Sequence, residues 1–219
     1  MKKVIILILY STFLVFTLSA QDYLGISAGT SHYFGDLAKH TDRFSTGDTK
    51  AVIGIDYQKS VYENLYLSAA LNIGALSADD FSSDIESHRN RSYDFRSFIT
   101  ELQFLMVYRL FAIELNTEST IKMNISTGVS ALKCKTSHSS TVLRNLVSEL
   151  ENPSKIGFAI PVNVSLDIDM RDVTYFIQGE ARKSFTDYLD GLSVLTESAA
   201  NDTYGFIKLG ARIPIKTNK

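Results

Sequence analysis

One group of side chains in the sequence has the chemistry of a metal site. Asp79, Asp80, Asp84, Glu86 and His88 crowd a single polar segment, and calcium accepts carboxylate oxygens of this kind. The spacing of a calcium-binding EF-hand loop, with its central glycine, is missing. A solvated acidic loop is therefore the favoured interpretation, and we predict no metal ligand and no cofactor.

A second group has the chemistry of a hydrolytic site. His32, Asp36 and His40 fall close together, and Asp187 and Asp190 fall in a later polar segment. Membrane barrels can carry proteolytic or acyl-transfer sites built from His, Asp and Ser at their outer rim. Nothing in the spacing fixes these residues as an ordered set, so we predict that the protein is not an enzyme.

A third group consists of charged residues that lie in otherwise apolar segments. Within each segment, polar and apolar residues alternate, and the charged residues fall on the polar positions. Such a period of two is typical of β-strands whose two faces meet different surroundings. Eight segments show it, at about residues 23–34, 51–59, 65–75, 97–110, 120–131, 157–169, 173–185 and 203–215. The charged residues on the polar faces are Asp56, Glu101, Arg109, Lys122, Asp167, Glu180, Arg182, Lys208 and Arg212.

The connections between these segments alternate strictly in length. Residues 60–64, 112–118 and 170–172 are short connections, whereas 35–50, 77–94, 133–155 and 186–202 are long and polar. In an up-and-down barrel all long loops leave one rim and all short turns the other. The third long loop is expected to hold the only cysteine, Cys134, and a short helix around residues 141–152. Pro161 lies inside the sixth segment, where it predicts a bulge or a missing ladder hydrogen bond.

The N-terminal residues have the pattern of a secretory signal peptide. Lys2 and Lys3 precede an apolar run over residues 4–18, and Ser19 and Ala20 are small. A membrane anchor is the alternative, but the run is shorter than the roughly 20 residues that a spanning helix needs. We predict a signal peptide at 1–20 and one barrel domain at 21–219. A net charge of −2 without a polybasic block argues against a nucleic-acid partner.

The predicted fold class is all-β, an eight-stranded antiparallel up-and-down barrel. Alternation alone leaves open a membrane barrel or a soluble lipocalin-like barrel that binds a lipophilic ligand. The loop lengths, the small residues on the polar face and the aromatics near strand ends favour a transmembrane barrel in the outer membrane. Those aromatics are Phe34, Tyr57, Phe98, Tyr108, Phe158 and Tyr175.

The interior of an eight-stranded barrel is just wide enough for side chains. Charged residues of both signs on the polar faces would fill it, and unpaired they would be very unfavourable. We therefore predict a connected ionic network, padded by small residues, with no open pore. The first segment, ISAGTSHYFGDL, fits this interior because Ser27, Gly29 and Ser31 share its slender face.

Several stretches in the same order resemble one protein group. HYFGDL after the first segment, FRSFITELQFLMVYRLF, GFAIPVNVSLDI and RKSFTDYLDGLS resemble a Bacteroidota group of small outer-membrane β-barrel proteins. That group carries a Tyr-x-Gly-Asp-Leu and a Thr-Asp-Tyr-Leu-Asp element, and the barrel component of the type IX secretion system is similar to it. The matching residues are Tyr33, Gly35, Asp36, Leu37, Thr186, Asp187, Tyr188, Leu189 and Asp190.

The resemblance implies an outer-membrane barrel with a structural or partner-binding role, linked in some members to secretion or gliding machinery. The implied partners are outer-membrane lipid and other envelope or secretion proteins. The two elements are expected to lie close together at the loop rim, with Asp36 or Asp187 bound to loop backbone donors or to an arginine. One departure is the C-terminal sequence IPIKTNK, which lacks the final aromatic residue common in outer-membrane proteins.

Overall fold

A computed structural model describes residues 22–34, 49–79, 93–116, 118–140, 155–185 and 202–215. These residues form eight antiparallel strands that close into one barrel in sequence order, which confirms the predicted fold class. The strands are β1 (Asp22–Tyr33), β2 (Lys50–Tyr62), β3 (Leu65–Asp79), β4 (Tyr93–Asn116), β5 (Ser119–Ser140), β6 (Lys155–Met170), β7 (Val173–Ser184) and β8 (Thr203–Ile215). Among these residues there is no helix long and apolar enough to cross a membrane.

The barrel closes where β1 pairs with β8, from Asp22 opposite Ile215 to Tyr33 opposite Tyr204. A path that starts at Asp22 and passes from each residue to its partner on the next strand goes once around the barrel. It returns to β1 at His32, ten residues further along. This stagger tilts the strands and sets the width of the interior. The rim formed by the short connections is called the turn rim below, and the opposite one the loop rim.

β4 and β5 are longer than predicted, with 24 and 22 residues. The predicted turn at 112–118 is wrong for residues 112–116, which continue β4, and the predicted loop at 133–155 is wrong for residues 133–140, which continue β5. Ladder hydrogen bonds hold these extensions, so they do not need the apolar alternation by which strands are recognised. Cys134 therefore lies buried on a strand, not in a polar loop.

Pro161 interrupts the ladder between β5 and β6, as predicted. Thr127 pairs with Val162 and Ser130 with Ala159, while no pairs form between them. Proline has no amide hydrogen to donate, so this gap is the expected local consequence. The Thr127 hydroxyl donates to the Pro161 carbonyl at 2.9 Å, which gives one backbone group a side-chain partner.

The two faces of the sheet have opposite polarity. Apolar side chains point outward and remain exposed, including Ile26, Leu102 and Val129, while their chain neighbours point inward and are buried. The six aromatic residues predicted for the outward face are all exposed there. The barrel thus carries an apolar exterior around an interior that holds buried charges.

Candidate functional site

The barrel interior is the candidate site, and its centre holds an ionic network that joins opposite walls. Arg182 on β7 donates from Nε to Glu101 on β4, at 2.9 Å from Oε2 and 3.1 Å from Oε1. Its Nη2 also contacts Glu180, two residues earlier on the same strand face. Lys208 on β8 lies 2.6 Å from Glu180 Oε1 and donates to Asn72 Oδ1 at 2.8 Å. Two acids and two bases therefore neutralise one another.

Aromatic rings complete the surroundings of Arg182. Its guanidinium carbon lies 3.8 Å from the centre of the Phe206 ring and 5.4 Å from that of Tyr204. The Tyr204 hydroxyl donates to Glu101 Oε1 at 3.1 Å. The side chains of Arg182 and Glu101 are fully buried, so each needs these partners to offset the loss of water.

A second network lies nearer the turn rim and centres on Arg212 of β8. Its Nε is 2.7 Å from Asp56 Oδ2 on β2, and its Nη1 is 3.1 Å from Asp167 Oδ2 on β6. Ser165 donates to the other Asp167 oxygen at 2.7 Å, and the Phe176 ring lies under the Arg212 guanidinium at 3.9 Å. One arginine thus links three strands through the interior.

Glycine at position 25 makes room for this second network. A Cβ atom there would lie 2.8 Å from Arg212 Cγ and closer still to Asp56 Oδ1. These two side chains form an ion pair with each other, so a Cβ atom at this position would have to displace one of its partners. At position 25 the small inward residue is therefore a requirement of the charges packed against it, whereas at Gly29 a Cβ atom would meet the Ile207 carbonyl of β8.

The remaining two predicted network residues lie toward the turn rim. Lys122 forms an ion pair with Asp169 that is only partly buried. Arg109 stands 5.0 Å from the centre of the Tyr66 ring, and its Nη1 donates to the Glu63 carbonyl at 3.3 Å. Within the described ranges Arg109 has no carboxylate partner, so it borders the network without joining it.

Toward the loop rim the interior changes character and becomes apolar. Small residues such as Ser31 and Ser97 are buried in this half, as predicted for the interior, but large apolar side chains that were not predicted lie beside them. Tightly packed large side chains fill it, with the Tyr33 and Phe95 rings edge to face at 5.0 Å. The cluster comprises Tyr33, Val52, Leu76, Phe95, Ile99, Leu132, Cys134, Ala159, Tyr204 and Phe206.

The described side chains of the interior border two small cavities. Two cavities, of about 30 and 20 Å³, lie in the half of the interior toward the turn rim. Volumes of this size hold one or two water molecules. Gln103 and Arg212 line the larger one, and the Gln103 Nε2 has no protein partner, so a water there would satisfy it.

Of the matching residues in the two short elements noted in the sequence, Tyr33 is the one that the structure describes. Its ring is buried inside the barrel, and its hydroxyl donates to Asp202 Oδ1 at 2.6 Å. Ser184, the last residue of β7, donates its amide to the Asp202 carbonyl at 2.8 Å. The strand ends that precede the two elements therefore meet at the start of β8, on the loop rim.

Other residues of these elements lie outside the described residues, namely Gly35, Asp36, Leu37, Thr186, Asp187, Tyr188, Leu189 and Asp190. The predicted signal peptide, the predicted helix at 141–152, His40 and most of the acidic loop lie outside them as well. Of the residues considered for hydrolysis, His32 is described. Its Nε2 lies 3.2 Å from Thr30 Oγ1, and its Nδ1 lies 3.4 Å from Thr49 Oγ1. In the described part of the chain no three His, Cys, Asp or Glu side chains gather as a metal site would require.

One family profile matches nearly the whole chain, over residues 2–212. The chain belongs to the family described as "Domain of unknown function (DUF6089)". No match is found among curated proteins.

Solved structures similar to this DUF6089 member are small barrels of low sequence identity. Ail, the attachment invasion locus protein of Yersinia pestis, has a TM-score of 0.47 and 9% identity over 90% of this chain and 100% of its own. Neisserial surface protein A has a TM-score of 0.46 and 8% identity, with 89% and 97% covered. The N-terminal β-barrel domain of Pseudomonas aeruginosa OprF has a TM-score of 0.44 and 7% identity, with 89% and 100% covered.

Sequence reasoning missed the aromatic partners inside this DUF6089 barrel. Phe176 lies two positions from Gln178, and Phe206 lies two positions from Lys208, so each has the same parity as an inward polar residue. That parity was the available signal. It is a weak signal, because an aromatic residue on a polar face looks like an exception until its cation is known.

Proposed function

We propose that the protein is a non-enzymatic outer-membrane β-barrel whose exterior faces lipid and whose interior is closed. Its role is structural or lies in binding other proteins at its rims. The observation that carries this proposal is the inverted polarity of the barrel, with ionised residues inside and large apolar residues outside. A closed barrel also leaves no unpaired sheet edge, which is the condition for strands to cross lipid.

The exposed fractions make the inversion quantitative. Ile156, Ile26 and Leu209 are 69%, 67% and 63% exposed, whereas the side chains of Arg182 and Glu101 are 0% exposed. Monomeric proteins in water rarely leave a continuous apolar patch larger than a few hundred Å² uncovered. If lipid surrounds the barrel, none of the outward apolar side chains is exposed to water.

A soluble barrel that binds a lipophilic ligand is the alternative function, and the geometry disfavours it. Such a barrel needs an apolar internal cavity of roughly 300 Å³ or more. The larger cavity described here holds about 30 Å³ and is lined by groups such as Asp56, Lys208 and Arg212. A drug-sized ligand would have to displace the ion pairs that fill this space.

The same filling supports a barrel that conducts no ions. The Glu101–Arg182 pair spans the interior, and the apolar cluster covers it toward the loop rim. The rims then remain as the surfaces for other proteins. The HYFGDL and RKSFTDYLDGLS stretches resemble those of Bacteroidota barrel proteins. This resemblance favours partners that belong to the type IX secretion or gliding machinery.

Cell fractionation tests the membrane assignment. We expect the protein in the outer membrane, with a gel mobility that differs between heated and unheated samples, as folded membrane barrels show. Release by osmotic shock would contradict the assignment. Reconstitution into planar bilayers tests closure separately, and stable ion conductance by the folded protein would contradict it.

Affinity purification from membranes in mild detergent tests the role at the rims. We expect envelope proteins of the secretion or gliding machinery to be recovered with the wild-type barrel. A barrel with Tyr33→Ala, which should disturb the loop rim, is expected to recover less of them. Recovery of the barrel alone from intact membranes would contradict a role in binding those proteins.

A further inference from the structure

We propose that a basic patch on the outward face of β4 and β5 binds the phosphate group of an anionic lipid in the outer leaflet. The patch consists of Arg96, Lys133 and Lys135, all exposed. The inference rests on the membrane position proposed above and adds a specific lipid class to it. No residue of the interior networks takes part.

The strand register brings the three cations together around one ring. Lys135 lies directly opposite Phe98, and Lys133 lies opposite Thr100, two positions further along the same face. Arg96 precedes Phe98 by two residues on β4 and shares that face. Directly opposite residues are about 5 Å apart and diagonal ones about 7–8 Å, so one phosphate can contact two of these cations at once.

The patch lies at the border of the apolar band. On β4 the outward residues toward the turn rim are Leu102, Phe104 and Met106, and on β6 Ile156 lies directly opposite Lys133. Lysine and arginine at such a border lay their aliphatic stems on apolar surface and hold their charges at headgroup depth. Phe98 and Ile156 are 55% and 69% exposed and offer contact to the first acyl carbons.

The described charged side chains at this border are all positive. The described outward charged side chains there are Arg96, Lys133 and Lys135 and, further around the barrel on β7, Lys183. Asp94 lies two residues beyond Arg96 on β4, and Asp79 pairs with it, so both acidic positions are further from the apolar band than Arg96. Among the described side chains, the cations are therefore the charges that adjoin the apolar band.

Phosphate is the anion that this arrangement suits best. An arginine can donate two parallel hydrogen bonds to a phosphate, and lysine adds a mobile point charge. A basic cluster beside a membrane attracts anionic headgroups, and salt weakens this attraction. The adjoining apolar side chains distinguish a phosphate that carries acyl chains from a free one.

Native mass spectrometry of the full barrel in non-ionic detergent tests the proposal. The probes are didecanoyl phosphatidic acid, didecanoyl phosphatidylcholine and inorganic phosphate. The double variant Lys133→Gln/Lys135→Gln is compared with Lys59→Gln/Lys183→Gln, which removes two outward lysines elsewhere. Heat-modifiable mobility of each sample is checked first, so failure of the membrane assignment is recognised independently.

We expect wild type and the control variant to retain phosphatidic acid about tenfold more strongly than phosphatidylcholine, since each nearby cation contributes several-fold. The patch variant should lose this preference while it keeps its fold. Equal retention of phosphatidic acid by the patch and control variants would overturn the proposal. Displacement of the lipid by an equal concentration of inorganic phosphate would overturn its assignment to a lipid.

Discussion

The two halves of the barrel interior are filled by different means. Toward the loop rim, side chains such as Phe95, Leu76 and Leu132 pack as in an ordinary protein core. Toward the centre and the turn rim, Arg182 and Arg212 hold pairs of carboxylates across the interior. Both halves close the barrel, but the first depends on volume and the second on matched charge.

This difference determines how each half responds to substitution. Apolar packing tolerates exchange of side chains of similar volume, at a cost below about 1.5 kcal/mol. A buried ion pair does not, because removal of one partner leaves the other charged and without water. The central network should therefore be the most sensitive part of the protein, although it contributes less apolar burial.

The largest effect is expected from Arg182→Met. The substitution leaves Glu101 and Glu180 buried with Lys208 as their remaining cation, and it should destabilise the folded barrel by about 3–5 kcal/mol. Urea unfolding in detergent micelles, followed by gel mobility, measures the change. The matched control is Arg171→Met, whose ion pair with Glu118 is exposed and should contribute less than about 1 kcal/mol. Equal losses in the two variants would refute the special status of the central network.

A somewhat smaller effect is expected in the apolar half. Leu132→Ala should cost about 3 kcal/mol, because the lost contacts are accompanied by a cavity that the packed cluster cannot fill. Leu102→Ala, on the outward face of the neighbouring strand, should cost about half as much because lipid chains fill the gap. The same unfolding assay compares them in lipid vesicles, and a larger loss for Leu102→Ala would show that the faces are assigned wrongly.

The glycine beside the second network should give an intermediate loss. Gly25→Ala places a methyl group against Asp56 and Arg212, and we expect about 2 kcal/mol of destabilisation from the displaced ion pair. Gly179→Ala is the control, because a Cβ at that position meets nothing within 4 Å. Both are measured by urea unfolding, and similar stability for the two variants would argue against tight packing around Arg212.

The smallest effect is expected at the loop rim. Tyr33→Phe removes the hydroxyl that donates to Asp202 and should cost about 1 kcal/mol, the net worth of one hydrogen bond. Tyr175→Phe changes an outward ring and should stay within about 0.5 kcal/mol. Unfolding midpoints in the same detergent compare the two, and identical midpoints would mean that the Tyr33–Asp202 bond adds nothing to stability.

The sequence predicted the barrel well, for a physical reason. A strand that separates lipid from a polar interior must alternate, and Leu65–Ala75 or Gly157–Asp169 show that alternation without interruption. Pro161 could be interpreted in advance because its missing amide hydrogen acts locally. Each of these features depends on residues close together in the chain.

Other features could not be predicted because they depend on register and on distance across the interior. The contact between Arg182 and Glu101 joins β7 to β4, and which acid meets which base follows from a stagger that no local pattern encodes. In the extension of β4, residues 110–116 are exposed on both faces, so the alternation fades while the ladder continues. The change from ionic to apolar filling could not be predicted, because the sequence does not show in which half of the barrel each inward residue lies.

Two tryptophan substitutions test most directly the claim that the outer face of the barrel contacts lipid while its charged side chains face the interior. The chain contains no tryptophan, so Phe104→Trp on the outward face and Phe176→Trp inside the barrel each provide a single reporter. In vesicles of brominated lipid we expect strong quenching of the fluorescence at position 104 and little at position 176. Equal quenching at both positions, or none at position 104, would contradict the account.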